Sequence, residues 1–373
     1  MGDRFSVRAL ESCTSFMTCD VLDMGYFEPL VRRAADGGIN TLVLFLIPDA
    51  FYPETSPAKS WSPEMGMDWP SEAYPQFRNR HCPNADPQAE YLPGLIALCH
   101  ELGMRVFLRT INNKHKWLYP ERDDWRAVRL CEDGTREATA ACCWDIPEFM
   151  TYYYEVLGDL LHRYATGANP VDGLILDQQK CFGPYVNPES QARFAEINGR
   201  PMDFAKPQEI HDYWSASNAA RVRETVAFCK KIHPDLEVGV TLEALKAGNL
   251  DDGESGLGYS LFNHHTTGVD FIHHQIIDHP EDEMVEMWEK VTADGPTWVM
   301  LDPTAADAGW NKPYWGWQPR TPESMRDEVA TVRRARRRLS RPDNLVGITE
   351  FPISTLPIDH PNLAAAIEQL GAS

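Results

Sequence analysis

Along this chain, short apolar runs alternate with longer stretches in which apolar residues recur every three or four positions. The short runs are of strand length and rich in β-branched residues. They predict strands at 16–19, 41–47, 105–109, 173–176, 237–242, 270–273, 297–301 and 345–349. Most show no apolar–polar alternation, as expected of strands covered on both faces in a parallel sheet. The longer stretches predict helices at 92–102, closed by Gly103, and at 148–164, 214–232, 281–291, 322–339 and 362–370. Residues 246–265, rich in Gly, Asp and Asn, read mostly as loop.

Eight strands alternating with helices favour a closed (β/α)₈ barrel over an open doubly wound sheet. The expectation is one domain over 1–373, with insertions at 48–86 and 303–320. Both insertions follow strands, so both belong to the face where such barrels carry their active sites. The first holds Tyr52, Trp61, Trp69, Tyr74 and Phe77; the second holds Trp310, Tyr314, Trp315 and Trp317.

Composition narrows the function. Hydrophobic residues make up 43% of 373 residues, enough for a large core, and no apolar run approaches the ~20 residues of a membrane helix. The opening residues lack the apolar stretch of a signal peptide, and the nine cysteines show no C-x-x-C pair. Free thiols in a cytoplasmic protein are expected. A net charge of −20 argues against nucleic acid as a partner. The arginine-rich stretch 333–341 reads as a solvated helix face. Neither a Gly-x-Gly-x-x-Gly turn nor a P-loop is present, so dinucleotide and nucleotide readings lose their support. No cofactor is expected.

Candidate chemistry lies just past the predicted strand ends. These positions carry Asp20, Asp49, Arg109 (with Asn112, Asn113 and His115 beyond it), Asp177, Gln178, Lys180, Glu243, His273, His274, Gln275, Asp302 and Glu350. An acidic residue ends six of the eight strands, although carboxylates are poor strand residues and costly to bury. Neighbouring strands lie roughly 4.8 Å apart, so Asp177 and Glu243 suit the ~5–5.5 Å carboxyl separation of a retaining glycosidase. Asp177 is the candidate nucleophile and Glu243 the candidate acid/base. Asp49, Arg109, Gln178, His265, His273, His274, Asp302 and Glu350 are candidate hydroxyl-binding groups. Trp310 and Trp315 offer ring faces for stacking a sugar.

The segment Asp-Gly-Leu-Ile-Leu-Asp ending at Asp177 resembles the fourth-strand segment of α-amylase-like and fucosidase-like glycoside hydrolase barrels. The spacing Gly173-x-x-x-Asp177-x-x-Lys180 is similar to the α-amylase motif. The resemblance implies an Asp nucleophile at 177, an acid at Glu243 and a supporting Asp302. Three departures stand beside it, one being that the third-strand signature is absent. Ile175 occupies the place of the motif's Arg, and no His precedes Asp302.

Two other readings stay open. Paired histidines at 264–265 and 273–274, with carboxylates, suit a metal-dependent hydrolase, isomerase or lyase. Adjacent strand residues point to opposite faces, so only one of His273 and His274 faces the barrel centre. The other is a barrel that binds a saccharide without turning it over. The expected partner is a small saccharide, with neither membrane nor nucleic acid, and a homo-oligomer is expected through exposed tryptophans.

Overall fold

The computed structural model describes residues 4–14, 22–46, 66–111, 115–131, 133–177, 184–243, 264–275, 280–301, 320–351, 353 and 356–372. Its strands are β1 (Val7–Cys13), β2 (Thr41–Phe45), β3 (Arg105–Ile111), β4 (Arg126–Leu130), β5 (Arg136–Cys142), β6 (Gly173–Asp177), β7 (Glu237–Glu243), β8 (Phe271–Gln275), β9 (Thr297–Leu301) and β10 (Leu345–Glu350). Eight of them close a parallel barrel in the order β1-β10-β9-β8-β7-β6-β3-β2. The chain is therefore a (β/α)₈ barrel. Seven of the eight predicted strands coincide with barrel strands. The predicted first strand, 16–19, lies outside the described residues, and the strand that closes the barrel is β1, a few residues earlier. Arg8 and Glu11 break its apolar run. In the fold both charges are satisfied, Arg8 by the carbonyls of Phe5 and Gly38 and Glu11 by Arg109.

The lower half of the barrel interior is a plug of Val7, Ala9, Val43, Phe107, Ile175, Phe271 and Trp298. Three large rings fit because the position beside each, on the neighbouring strand, is glycine. Gly173 is in register with Phe107, Gly239 with Phe271, and Gly347 with Trp298. A Cβ on Gly239 would lie 2.3 Å from the Phe271 ring. The rings then pack on one another, Phe271 stacked on Trp298 at 4.1 Å between centroids and Phe107 edge-on to Trp298 at 4.9 Å. Gly→Ala in a strand ordinarily stabilises by restricting the unfolded chain. At Gly239 the sign reverses: Gly239→Ala should cost about 1–3 kcal/mol by overpacking, read as a fall in Tm.

Outside the barrel, helices begin at prolines: Pro93, Pro147, Pro188, Pro207, Pro322 and Pro361 each stand in a first helical turn. There the missing N–H costs nothing and the fixed φ suits the helix. The helices Met24–Asp36 and Pro188–Asn198 were not predicted. Neither was the antiparallel β4–β5 hairpin, inserted between β3 and β6. Its signal is Asp133-Gly134. Gly134 has φ +80°, and the Asp133 carboxylate accepts from the Thr135 N–H and hydroxyl.

The arginine-rich helix Pro322–Arg338 opens on a Thr321–Ser324 capping box. Its Arg334 and Arg338 pair with Glu281 and Asp282 of the preceding helix, and Arg326 with Glu368 of the last. The arginines thus tie neighbouring helices together at the surface. All cysteines among the described residues are free thiols. None of the described helices is long and apolar enough to cross a membrane.

Candidate active site

Above the aromatic plug, charge replaces hydrocarbon. Glu11 of β1, Arg109 of β3, Asp177 of β6 and His273 of β8 converge near the C-terminal ends of the strands, each at most 2% exposed. The Arg109 guanidinium is shared between two carboxylates. One terminal nitrogen donates to Glu11 Oε1, and the other donates to Asp177 Oδ1 at 2.7 Å. Its flat group lies over the rings of Phe45 (4.7 Å) and Phe351 (5.0 Å). Those rings fix the plane of the fork, and a cation against an aromatic face is itself favourable. The first amino group also lies 3.1 Å from Met300 Sδ.

His273 completes the group. Its Nε2 is 3.3 Å from Thr349 Oγ1 and 3.6 Å from Glu11 Oε2, and its Nδ1 is 3.5 Å from Thr241 Oγ1. Burial, then the charge of Arg109, holds its pKa well below the ordinary histidine value, so the ring is neutral at neutral pH. Glu11 moves the other way. Burial raises its pKa from 4.5 to about 7 and Asp177 adds to the rise, against the lowering by Arg109. One guanidinium cannot compensate burial of the Glu11 carboxylate fully, and Glu11 takes a proton as pH falls through neutrality.

The strand-end reading located Arg109, Asp177 and His273 but not Glu11, which is in the strand it misplaced. Asp177 closes β6, as expected. Arg109, on the adjacent strand, is in register with Ile175. Ile175 itself belongs to the plug. Glu243 is the last residue of β7. The β6–β7 register pairs Leu176 with Val240, so Asp177 is level with Thr241 and Glu243 is one interior layer higher. Of Glu243 the backbone alone is described.

Three other candidates are not brought to the barrel centre. His274 faces outward, where the Trp288 indole N–H donates to its Nδ1 at 3.2 Å. His273 is thus the inward member of the pair, in keeping with strand alternation. Glu350 is in register with Leu10, an outer-core residue, while its neighbour Thr349 bonds His273. Alternation turns Glu350 to the helix side. His265 is exposed on the short helix His264–Thr267 that leads into β8, with Asp294 at 3.8 Å. That is the opposite end of the barrel from the strand C-termini. His115 is buried, stacked on Trp117 with 4.7 Å between centroids. Asp20, Asp49, Asn112, Asn113, Gln178, Lys180, Asp302, Trp310, Trp315, residues 48–65 of the first insertion and residues 303–319 of the second lie outside the described residues. Among the described residues, no group of three or more His, Cys, Asp or Glu side chains is placed to hold a metal ion.

No protein-family model matches this chain, and no curated protein matches it in sequence. Solved structures do resemble it in fold, among them glycoside hydrolases. The PgaB (BpsB) glycoside hydrolase domain from Bordetella bronchiseptica aligns with a TM-score of 0.66 at 14% identity, over 98% of each chain. The catalytic domain of β-amylase from Paenibacillus polymyxa aligns at 0.60 with 9% identity, over 99% of each chain. A β-galactosidase from Bacillus circulans sp. alkalophilus aligns at 0.63 with 12% identity, over 99% of this chain and 56% of its own. At such identities the likeness is one of fold.

Proposed function

We propose that this protein is a glycoside hydrolase acting on a saccharide or glycoside through a two-carboxylate retaining mechanism. The observation that carries the proposal is Asp177, a buried carboxylate at a barrel strand end held by Arg109. The shared fold with glycoside hydrolases adds support. In this reading Asp177 attacks the anomeric carbon while Glu243 protonates the leaving oxygen. Glu243 then takes a proton from the water that releases the sugar from Asp177. Arg109 fixes the direction of the Asp177 oxygens, so that little reorganisation is needed as the bond forms. His273, neutral, offers a hydrogen bond without adding a charge that competes for Asp177. Asp49, Gln178, Asp302, Trp310 and Trp315 remain candidates for holding the sugar.

The test is a panel of aryl glycosides assayed with and without a chelator, with the product anomer read by NMR. Hydrolysis with retained configuration, unaffected by chelation, supports the mechanism. Hydrolysis with inversion removes the nucleophile role, and chelator-sensitive turnover moves the chemistry to a metal. Absence of turnover across the panel overturns the proposal.

Glu11 provides a separate, activity-free check. Above about pH 4.5 the unfolded chain releases this proton, while the folded state keeps it to about pH 7. The stability associated with Glu11 is therefore fully present below about 4.5 and is lost as pH rises through about 7, by roughly 3 kcal/mol. Glu11→Gln should flatten the fall in Tm between pH 5 and 8. An unchanged slope would show that Glu11 ionises normally.

A further inference from the structure

We infer that a second saccharide-binding site lies outside the barrel mouth, in a groove between the segment after β2 and the helix Pro147–Tyr164. The inference deepens the glycosidase reading and rests on it in one respect, the expectation that the ligand is a saccharide. The groove itself is built from described residues. Its floor is Leu118, Trp125 and Tyr152, all buried. Its wall is Tyr74 and Phe77, half-buried rings within 22° of parallel. The cavity they enclose is about 270 Å³. A more open depression of about 630 Å³ continues beyond Tyr74, past Tyr154, Asp159 and His162 of the same helix. A site of this length suits a run of sugar units better than a single one.

Several features specify the ligand. Ring faces bounded by hydrogen-bonding groups fit a molecule with apolar faces and a polar edge, which describes a pyranose. The rim carries Glu148, Glu155 and Thr151 from one helix. The nearby cation, Arg122, is held by both oxygens of Asp124 at 3.0 and 2.8 Å and lies flat over Trp125. Two carboxylates against one committed guanidinium disfavour phosphate or any acidic ligand, and the chain's charge of −20 does so further. An uncharged saccharide is the class that fits.

The platform is also rigid. The Tyr74 hydroxyl bonds Glu155, and its ring packs edge-on against Tyr152 at 4.8 Å. Close by, the buried Trp69 indole donates to Asp159 at 3.0 Å and anchors this segment to the helix. Rings already fixed lose little entropy on binding. The segment after β2 and the connection after β3, which line the groove, both leave strand C-termini.

The experiment is native electrophoresis in gels cast with soluble starch, xylan, mixed-linkage β-glucan or galactomannan, each against a gel without polysaccharide. The wild type and Asp177→Asn should be retarded alike in at least one gel. Tyr74→Ala should weaken that retardation at least tenfold. Thr151→Trp, which fills the groove from an exposed helix position, should do the same without removing any packing. Retardation in no gel overturns the proposal, as does retardation unchanged in both groove variants. Retardation lost in Asp177→Asn alone would place binding in the barrel mouth and overturn it too. A dimer in gel filtration that Thr151→Trp dissociates, with no retardation in any gel, would reassign the groove to a protein interface. Because binding is read without turnover, the groove can stand or fall independently of catalysis.

Discussion

Asp177→Asn is expected to abolish glycoside turnover, lowering kcat/KM by at least about 10³-fold while the protein stays folded. The side chain keeps its size, and its amide oxygen can still accept from Arg109, so the loss falls on chemistry. An amide is a poor nucleophile and does not stabilise positive charge at the anomeric centre. Losses of two to four powers of ten are usual for one positioned proton-transfer group, and a nucleophile belongs at or beyond the upper end. Two readings beside the rate make the result specific. Azide should restore turnover to Asp177→Ala, by entering where the carboxylate attacks. Glu11 should ionise at lower pH in Asp177→Asn, because the neighbouring charge that helps raise its pKa is gone. A variant that keeps wild-type turnover would remove Asp177 from the mechanism, and Glu243→Gln would then become the decisive variant.

The second large effect concerns stability. Arg109→Met should cost about 3–5 kcal/mol, since it leaves Glu11 and Asp177 facing one another in a buried site without their shared cation. Glu11, freed from the cation that lowers its pKa, would then hold its proton in the folded state to a pH still further above that of the unfolded chain. The stability of the variant must therefore fall as pH rises, and the loss relative to wild type should be larger at pH 8 than at pH 5. Urea titrations at the two pH values measure this. Adding Glu11→Gln to Arg109→Met should recover part of the loss, because one of the stranded charges is gone. Equal losses at both pH values would mean that Arg109 acts through its packing against Phe45 and Phe351 and not through its charge.

The legible part of this protein was its hydrocarbon. Buried strands such as Thr41–Phe45 and Thr297–Leu301 read directly, because helices cover one face and the plug the other. The fourth-strand segment also read correctly, and its glycine now has a steric reason, the Phe107 ring beside it. The first strand did not read, because Arg8 and Glu11 look like surface residues until their partners are known, and those partners are distant in sequence. Glu11 is 98 residues from Arg109 along the chain, a pairing that no local pattern encodes. Glu350 and His274 show a different limit. A polar residue at a strand end faces either the axis or the helices, and a one-residue uncertainty in the strand boundary reverses the outcome. The β4–β5 hairpin did have its signal, at Asp133-Gly134, but an excursion between two barrel strands has no place in a simple β/α alternation.

Beneath the charged cluster, Phe107, Phe271 and Trp298 leave the barrel without a back door. Anything admitted from the strand ends must leave the way it came. A released sugar and the next substrate then queue at one threshold, and in the glycosidase reading the enzyme slows as its own product accumulates. The same stopper keeps water from reaching Glu11 and Asp177 from below, so hydration of these carboxylates is governed from one side alone, by whatever fills the entrance.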